Sequence, residues 1–449
     1  MNIPLDNLYH WLRGCADEPV SIYTFKPHGC KNISNLSYFE LIDSSAITPE
    51  LVCHDQEPLN YNLYQDIDAT DIWQNFKNNN PNFLASNDEI HALAAYCQHL
   101  DFLAMITLIK SRNIYDRYIL LHSETNSKDV KKFSCNAETV YYWCHAVIAR
   151  DWYRFAETDP RLNQLVEKKQ TFLVYCRAWT GTREYRLKFL DLMLQHSLID
   201  NCKISILHQD QQIQLSSYVC CDPKLQPTNM LALFEIANNT YLSDASADYS
   251  ANDIVSTDIS VVLETVAADT KIHLTEKTLR PIACGHPFML VAGPGSIQYL
   301  KSYGFETFSP WIDESYDAET DVVKRMQIIA KEMQRIENLG LDQKIQMMQQ
   351  IKKIAERNKI HFFSKEFFDQ VQSELIANLN TAIRRTKHTR GHRYLARRAL
   401  VKKYDPVSQD PTVVDKKRTI VQVLRQLRKD PTVSLRQIID QYPSGYFNV

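Results

Sequence analysis

Seven short runs of β-branched, aliphatic and aromatic residues punctuate this chain: SIYTF (21–25), ELVCH (50–54), RYILLHS (117–123), TFLVYC (171–176), KISIL (203–207), DISVVLETV (258–266) and PFMLVA (287–292). Longer helical patterns lie between them. Near-continuous apolar strands alternating with helices imply parallel sheets covered on both faces, an α/β fold. The charged stretch TDPRLNQLVEKKQ (158–170) interrupts the alternation and is the natural link between two units. An N-terminal α/β lobe is therefore expected at 1–160 and a second at 170–380. The latter ends in nearly continuous helix from Asp321 to Asn380 (VVKRMQIIAKEMQRI, LDQKIQMMQQIKKIAERNKI, KEFFDQVQSELIANLNTAI). Residues 381–449 read as a basic helical extension, and a length of 449 suits two or three domains.

Lys and Arg number 51 against 53 Asp and Glu, so the chain as a whole has no commitment to a polyanion, and any basic partner surface must be local. One such place exists. Arg384, Arg385, Lys387, Arg390, Arg393, Arg397, Arg398, Lys402 and Lys403 follow one another without an intervening acid. This is either a solvated helical face or a contact to a nucleic-acid backbone. No stretch approaches the roughly 18 apolar residues of a membrane span. The start, MNIPLDNLYHWLRG, lacks the apolar core of a signal peptide, so a cytoplasmic protein without a membrane partner is expected. Eleven scattered cysteines with no CxxC pair suit reduced, buried thiols rather than a disulfide framework or a zinc cage.

Glycine is scarce, ten in all, yet Gly285, Gly293, Gly295 and Gly304 fall close together. A strand ending at Ala292, then Gly293-Pro294-Gly295-Ser296 and a helix start, could present free N–H groups to an anion; a tight βα turn is the plainer reading. The dinucleotide fingerprint and the Walker loop are both absent. Thr275 can cap a helix opened by Glu276 and Lys277, a carboxylate and an ammonium suited to a ribose diol and a diphosphate, although such pairs are common on helix surfaces. In YCRAWTGTREYRLKFLDLML, Arg183 and Arg186 enter a helix just after a strand, placed for phosphate or simply for the surface. In CHDQEPLNYNLYQD, Asp55 and Glu57 follow a strand, as a general base or as turn-forming acids. No His, Asp or Glu set has convincing metal spacing, so neither a metal nor another cofactor is expected.

The run LETVAADTKIHLTEKTLRPIACGHPFMLVAGPG resembles the donor-site signature of the α-1,3-fucosyltransferase family, and CHDQEPLNYNLYQ resembles that family's N-terminal acidic motif. With YYWCHAVIARDWYR, RAWTGTREYRLKF, GFETF and DESYD, the same blocks are similar to glycosyltransferase-like proteins of tailed bacteriophages, over about residues 50–320. The resemblance implies a GT-B-like architecture, two Rossmann-like lobes with a cleft between them, and an inverting, metal-independent transfer from a nucleotide-sugar. It implies Glu276 on the donor ribose, Lys277 and Arg186 or Arg183 on the diphosphate, Glu264 on the sugar, and Asp55 or Glu57 as base. HDQEP and the Arg280-Pro281 pair depart from the fucosyltransferase pattern. The acceptor then expected is a hydroxylated base in phage DNA, with a glycan or protein acceptor, or a degenerate DNA-binding transferase, as alternatives.

Overall fold

The computed structural model of the chain describes residues 3–23, 49–53, 58–59 and 118–404, apart from 135–136, 169, 211–212, 241–242 and 244–246, with side chains as far as Thr386. By their contacts Met1–Tyr61 with Arg117–Arg384 form one compact unit, and Asn62–Asp116 with Arg385–Val449 a second. Everything below belongs to the first unit, except the far end of the last helix.

The protein is a mixed α/β chain with two four-stranded parallel sheets. The first contains β1 (Ser21–Tyr23), β2 (Glu50–Cys53), β3 (Tyr118–His122) and β4 (Ala137–Tyr141), in that order. Leu51, Cys53, Ile119, Leu121 and Val140 are buried in it, with α1 (Leu8–Gly14), α2 (Lys128–Phe133) and α3 (Cys144–Trp152) alongside. The apolar runs did not announce β4: it is an edge strand, and Glu138 and Thr139 are only partly buried.

The second sheet contains β5 (Phe172–Cys176), β6 (Cys202–Ile206), β9 (Ile259–Leu263) and β10 (Phe288–Val291), and a small hairpin of β7 (Gln209–Asp210) and β8 (Ile213–Gln214) stands beside it. All five residues of β9 and all four of β10 are buried, as expected for strands covered on both faces. The strand order is β10-β9-β5-β6. From β5 the chain builds outward to β6, and from β9 it builds the other way to β10, so the winding reverses between β5 and β9. In open parallel sheets that reversal opens a crevice at the carboxyl ends of the strands.

Helices α4 (Tyr185–Gln195), α5 (Met230–Asn239), α6 (Ala251–Val255) and α7 (Glu276–Cys284) connect these strands, and α8 (Ser296–Ser302) follows β10. Then come α9 (Val322–Glu337), α10 (Leu341–Phe363) and α11 (Lys365–Tyr404). Asp321 starts α9 by accepting from the N–H groups of Val323 and Lys324, both at 2.9 Å. The chain then returns to its beginning. Buried Arg150 on α3 donates to the carbonyls of Phe362, Phe363 and Ser364 where α10 ends. On α11, Asn378 donates to Tyr141 O, while Asn380 accepts from Asp17 N and donates to Cys15 O.

Residues 265–275, between β9 and α7, are stitched to the first sheet's loops. Thr125 and Ile272 exchange two backbone hydrogen bonds of 3.0 Å, and the Trp143 indole donates to Leu274 O at 2.9 Å. Among the described residues no helix is long and apolar enough to cross a membrane, and only Cys221 of the described cysteines is exposed.

Buried His286 lies 2.8 Å from Ser260 Oγ through Nδ1 and 3.2 Å from Thr257 O through Nε2, an arrangement satisfied by the neutral ring. Burial pulls its pKa from 6.5 to about 3. The unfolded chain therefore takes up a proton that the folded chain refuses. This contribution is complete above about pH 6.5 and is lost as pH falls toward the folded value. Urea titrations at a series of pH values should show His286→Gln flattening the acid limb by up to about 1.4 kcal/mol per pH unit relative to wild type.

Candidate functional site

At the point of reversal, a cleft of about 340 Å³ runs along β5 and β9 beneath the start of α7. Its volume lies in the range of small-ligand sites. Five cationic side chains line it, Arg177, Arg183, Arg186, Lys277 and Arg280, against two carboxylates, Asp210 and Glu276. That imbalance in a confined space attracts an anion.

Local structure builds each part of this lining. As β5 ends, Asp210 Oδ2 accepts from Trp179 N, Thr180 N and Thr180 Oγ1, each at 2.8 Å, which fixes the turn leading to Arg183. Arg186, on the first turn of α4, is 2% exposed and faces inward. Its Nη1 donates to Ala178 O, and its Nη2 to Leu263 O and Glu264 O, at 2.5, 2.9 and 2.7 Å. Nε of Arg186 is buried with no partner among the described residues. The guanidinium therefore ties the β5 turn to the end of β9 while adding a positive charge to the cleft wall.

The start of α7 is set by Glu264, which is fully buried. Its Oε1 accepts from Thr275 N, Thr278 N and Thr278 Oγ1, and its Oε2 from Thr275 Oγ1 and Thr265 N, all within 3.2 Å. A carboxylate at a helix N-terminus answers both the orphan N–H groups and the dipole. Thr275 also caps, accepting from Lys277 N. Glu276 and Lys277 are thereby delivered to the cleft mouth, with Lys277 Nζ 2.6 Å from Glu276 Oε1. On the other side, His145 Nδ1 lies 3.7 Å from Glu276 Oε2, and Tyr153 OH donates to Glu276 O. Burial alone would raise the Glu276 carboxyl; Lys277 and His145 overcome it and hold it well below the usual carboxylate range. One turn on, the Arg280 guanidinium sits 4.6 Å from the centre of the Tyr175 ring.

The structure thus gathers Arg183, Arg186, Glu276 and Lys277 around one cleft, while buried Thr275 is not part of the lining and caps the helix that carries the last two. It corrects three other expectations. Glu264, assigned to the sugar, is committed to five internal donors and acts by fixing the helix that carries Glu276. Gly293 and Gly295 do not line this cleft, and the helix start that follows them is already occupied: Asp317 accepts from Ile297 N and Gln298 N at 2.9 and 3.1 Å. The plainer reading of that turn holds. Gly293 passes so close to Lys271 that a Cβ would meet its carbonyl at 2.4 Å, and Gly295 has φ +82°. The hollow over Gly295 offers Lys301 against Glu314 and Asp317, an unfavourable lining for an anion. A larger hollow, about 780 Å³, balances Lys301 and Arg335 against Asp313 and Glu314. Neither gathers cations as the cleft at β5 and β9 does.

Asp55 and Glu57 lie outside the described residues; Cys53 and Pro58 flank them. Of the basic run, Arg384 and Arg385 are exposed, with Arg384 3.8 Å from the Asp17 carboxylate. Arg390, Arg393, Arg397 and Arg398 fall within α11, and their side chains are outside the description. Arg177, Asp210, Tyr175 and Arg280 join the site without being expected there from the sequence. Arg280 carried a signal, since it stands four residues after Glu276 and so shares its helix face. Asp210 carried none, because its role depends on a turn thirty residues earlier. Among the described residues no three His, Cys, Asp or Glu side chains come together as a metal-ligand set. Comparison of the chain with family models, characterised proteins and solved structures gives no match.

Proposed function

We propose that this protein is a glycosyltransferase of GT-B architecture, moving a sugar with inversion from a nucleotide-sugar to an acceptor hydroxyl without a metal ion. The observation that carries the reading is the cation-rich cleft at the winding reversal of the second sheet, with Glu276 and Lys277 at its mouth. Departure of a nucleoside diphosphate requires fixed positive charge on the leaving oxygens, and the attacking hydroxyl must lose its proton. In this reading Lys277 and Arg183 bind the diphosphate, and Arg186 and Arg280 add positive potential behind it. Glu276, an anion held by Lys277 and His145, accepts from the ribose hydroxyls. Asp55 or Glu57 takes the acceptor proton. The acceptor is a hydroxylated base in DNA; the unbroken basic run from Arg384 to Lys403 favours it over a neutral glycan. Acceptor binding should then weaken steeply between about 50 and 200 mM salt.

Thermal-shift titration with nucleoside diphosphates tests the donor site directly, because a ligand of the native state alone raises the melting temperature. Lys277→Ala and Arg183→Ala should each weaken the bound diphosphate by about tenfold or more, the loss of one charge-assisted hydrogen bond. Unchanged affinity in both variants would remove the site assignment. A chain that no nucleotide stabilises but duplex DNA does would be a DNA-binding protein on a degenerate transferase scaffold.

A further inference from the structure

A buried ion pair outside the cleft has no part in the scheme above. Lys271 and Glu124 are 6% and 2% exposed, and Lys271 Nζ lies 3.5 Å from Glu124 Oε1 and 3.0 Å from Asp129 Oδ2. Between them they hold the backbone of one residue from both sides: Leu59 N donates to Glu124 Oε1 at 2.5 Å, and Lys271 Nζ donates to Leu59 O at 2.7 Å. Leu59 itself is buried. Charges buried this deeply are destabilising unless each finds partners, so the pair is a demanding way to fasten one loop residue.

Its placement gives it a use. Glu124 follows β3 of the first sheet. Lys271 belongs to residues 265–275, the segment that begins beside Glu264 and ends at Thr275 and Glu276 of the cleft. The close passage of Gly293 against Lys271 O, where no side chain fits, holds that segment from behind. In the chain, Leu59 stands two residues after Glu57 and four after Asp55. Covalent geometry keeps the Cα of Glu57 within about 7 Å of the Cα of Leu59.

We infer that Lys271 and Glu124 are positioning residues, a buried clamp by which the donor-side segment 265–275 holds Leu59, two residues after the nearer candidate for the acceptor-side base. The inference rests on the transferase reading for its catalytic consequence, but the clamp can be tested without it. Lys271→Met with Glu124→Gln removes the two buried charges together and leaves only the Asp129 carboxylate, which is partly open to water; Lys271→Arg keeps the cation. Hydrogen exchange of the free protein should speed up by about tenfold or more in the peptide containing Leu59 in the double variant, with exchange in β5 and β9 unchanged. Lys271→Arg should restore most of the protection. Turnover should fall by about tenfold or more in the double variant while diphosphate affinity stays within about twofold, because the clamp touches the base loop and not the donor. Unchanged exchange at Leu59 overturns the clamp. Faster exchange with unchanged turnover leaves the clamp standing and refutes Asp55 and Glu57 as the base. Absence of any nucleotide binding in wild type refutes the transferase reading and leaves the exchange result to decide the clamp.

Discussion

Replacing Arg186 by methionine is expected to lower the stability of the protein by about 3 kcal/mol, read as a fall in the urea midpoint at unchanged slope. Methionine supplies comparable apolar bulk but no donors, so the carbonyls of Ala178, Leu263 and Glu264 lose their shared partner in a buried place. Glu264 O keeps the Tyr185 hydroxyl, but the carbonyls of Ala178 and Leu263 each lose a hydrogen bond to a charged group, worth about 1.5–3 kcal/mol. The loss is also geometric, because the guanidinium ties the turn after β5 to the end of β9. A variant that bound diphosphate poorly but unfolded like wild type would show Arg186 to be a simple ligand. Arg183, three residues earlier and partly exposed at the cleft, should show the converse pattern, weak binding with little change in the midpoint.

Glu57→Gln is expected to reduce turnover by about 10²- to 10⁴-fold while leaving the nucleotide thermal shift intact, the signature of a lost general base rather than a lost binding group. Gln keeps the shape of the side chain and removes its capacity to take a proton. Asp55→Asn provides the matched control, since only one of the two carboxylates needs to fill the role. Whichever substitution abolishes transfer names the base, and full activity in both would exclude this loop from the chemistry.

Much of the architecture could be read from the residues because it depends on local patterns. Each of the seven apolar runs overlaps a strand, and the helix opened by Glu276 and Lys277 begins where its cap residue, Thr275, stands. What escaped was decided by partners distant in the chain. Gly293 to Ser296 looks like an anion cradle until Asp317, about twenty residues on, occupies the exposed N–H groups. Glu264 looks available until two threonines of the following helix and Thr265 enclose it. Arg183 and Arg186 look equivalent in one dimension. Only the helix phase, with the carbonyls at the end of β9, turns one inward and leaves the other at the mouth. The edge strand β4 escaped for a simpler reason, since a strand half open to its surroundings needs no continuous apolar run.

The return of α10 and α11 to the first sheet also bears on how the protein is made. The strands of that sheet are complete at Tyr141, and α3 ends at Trp152, yet the groups that satisfy Arg150, Tyr141 O and Asp17 N come from Phe362, Phe363, Ser364, Asn378 and Asn380. At about 5–20 residues per second, a ribosome delivers those partners roughly 10–50 s after α3 has emerged. During that interval the first sheet lacks the cover that the last two helices give it. The second sheet, whose strands are complete at Val291, can therefore form before the first is closed.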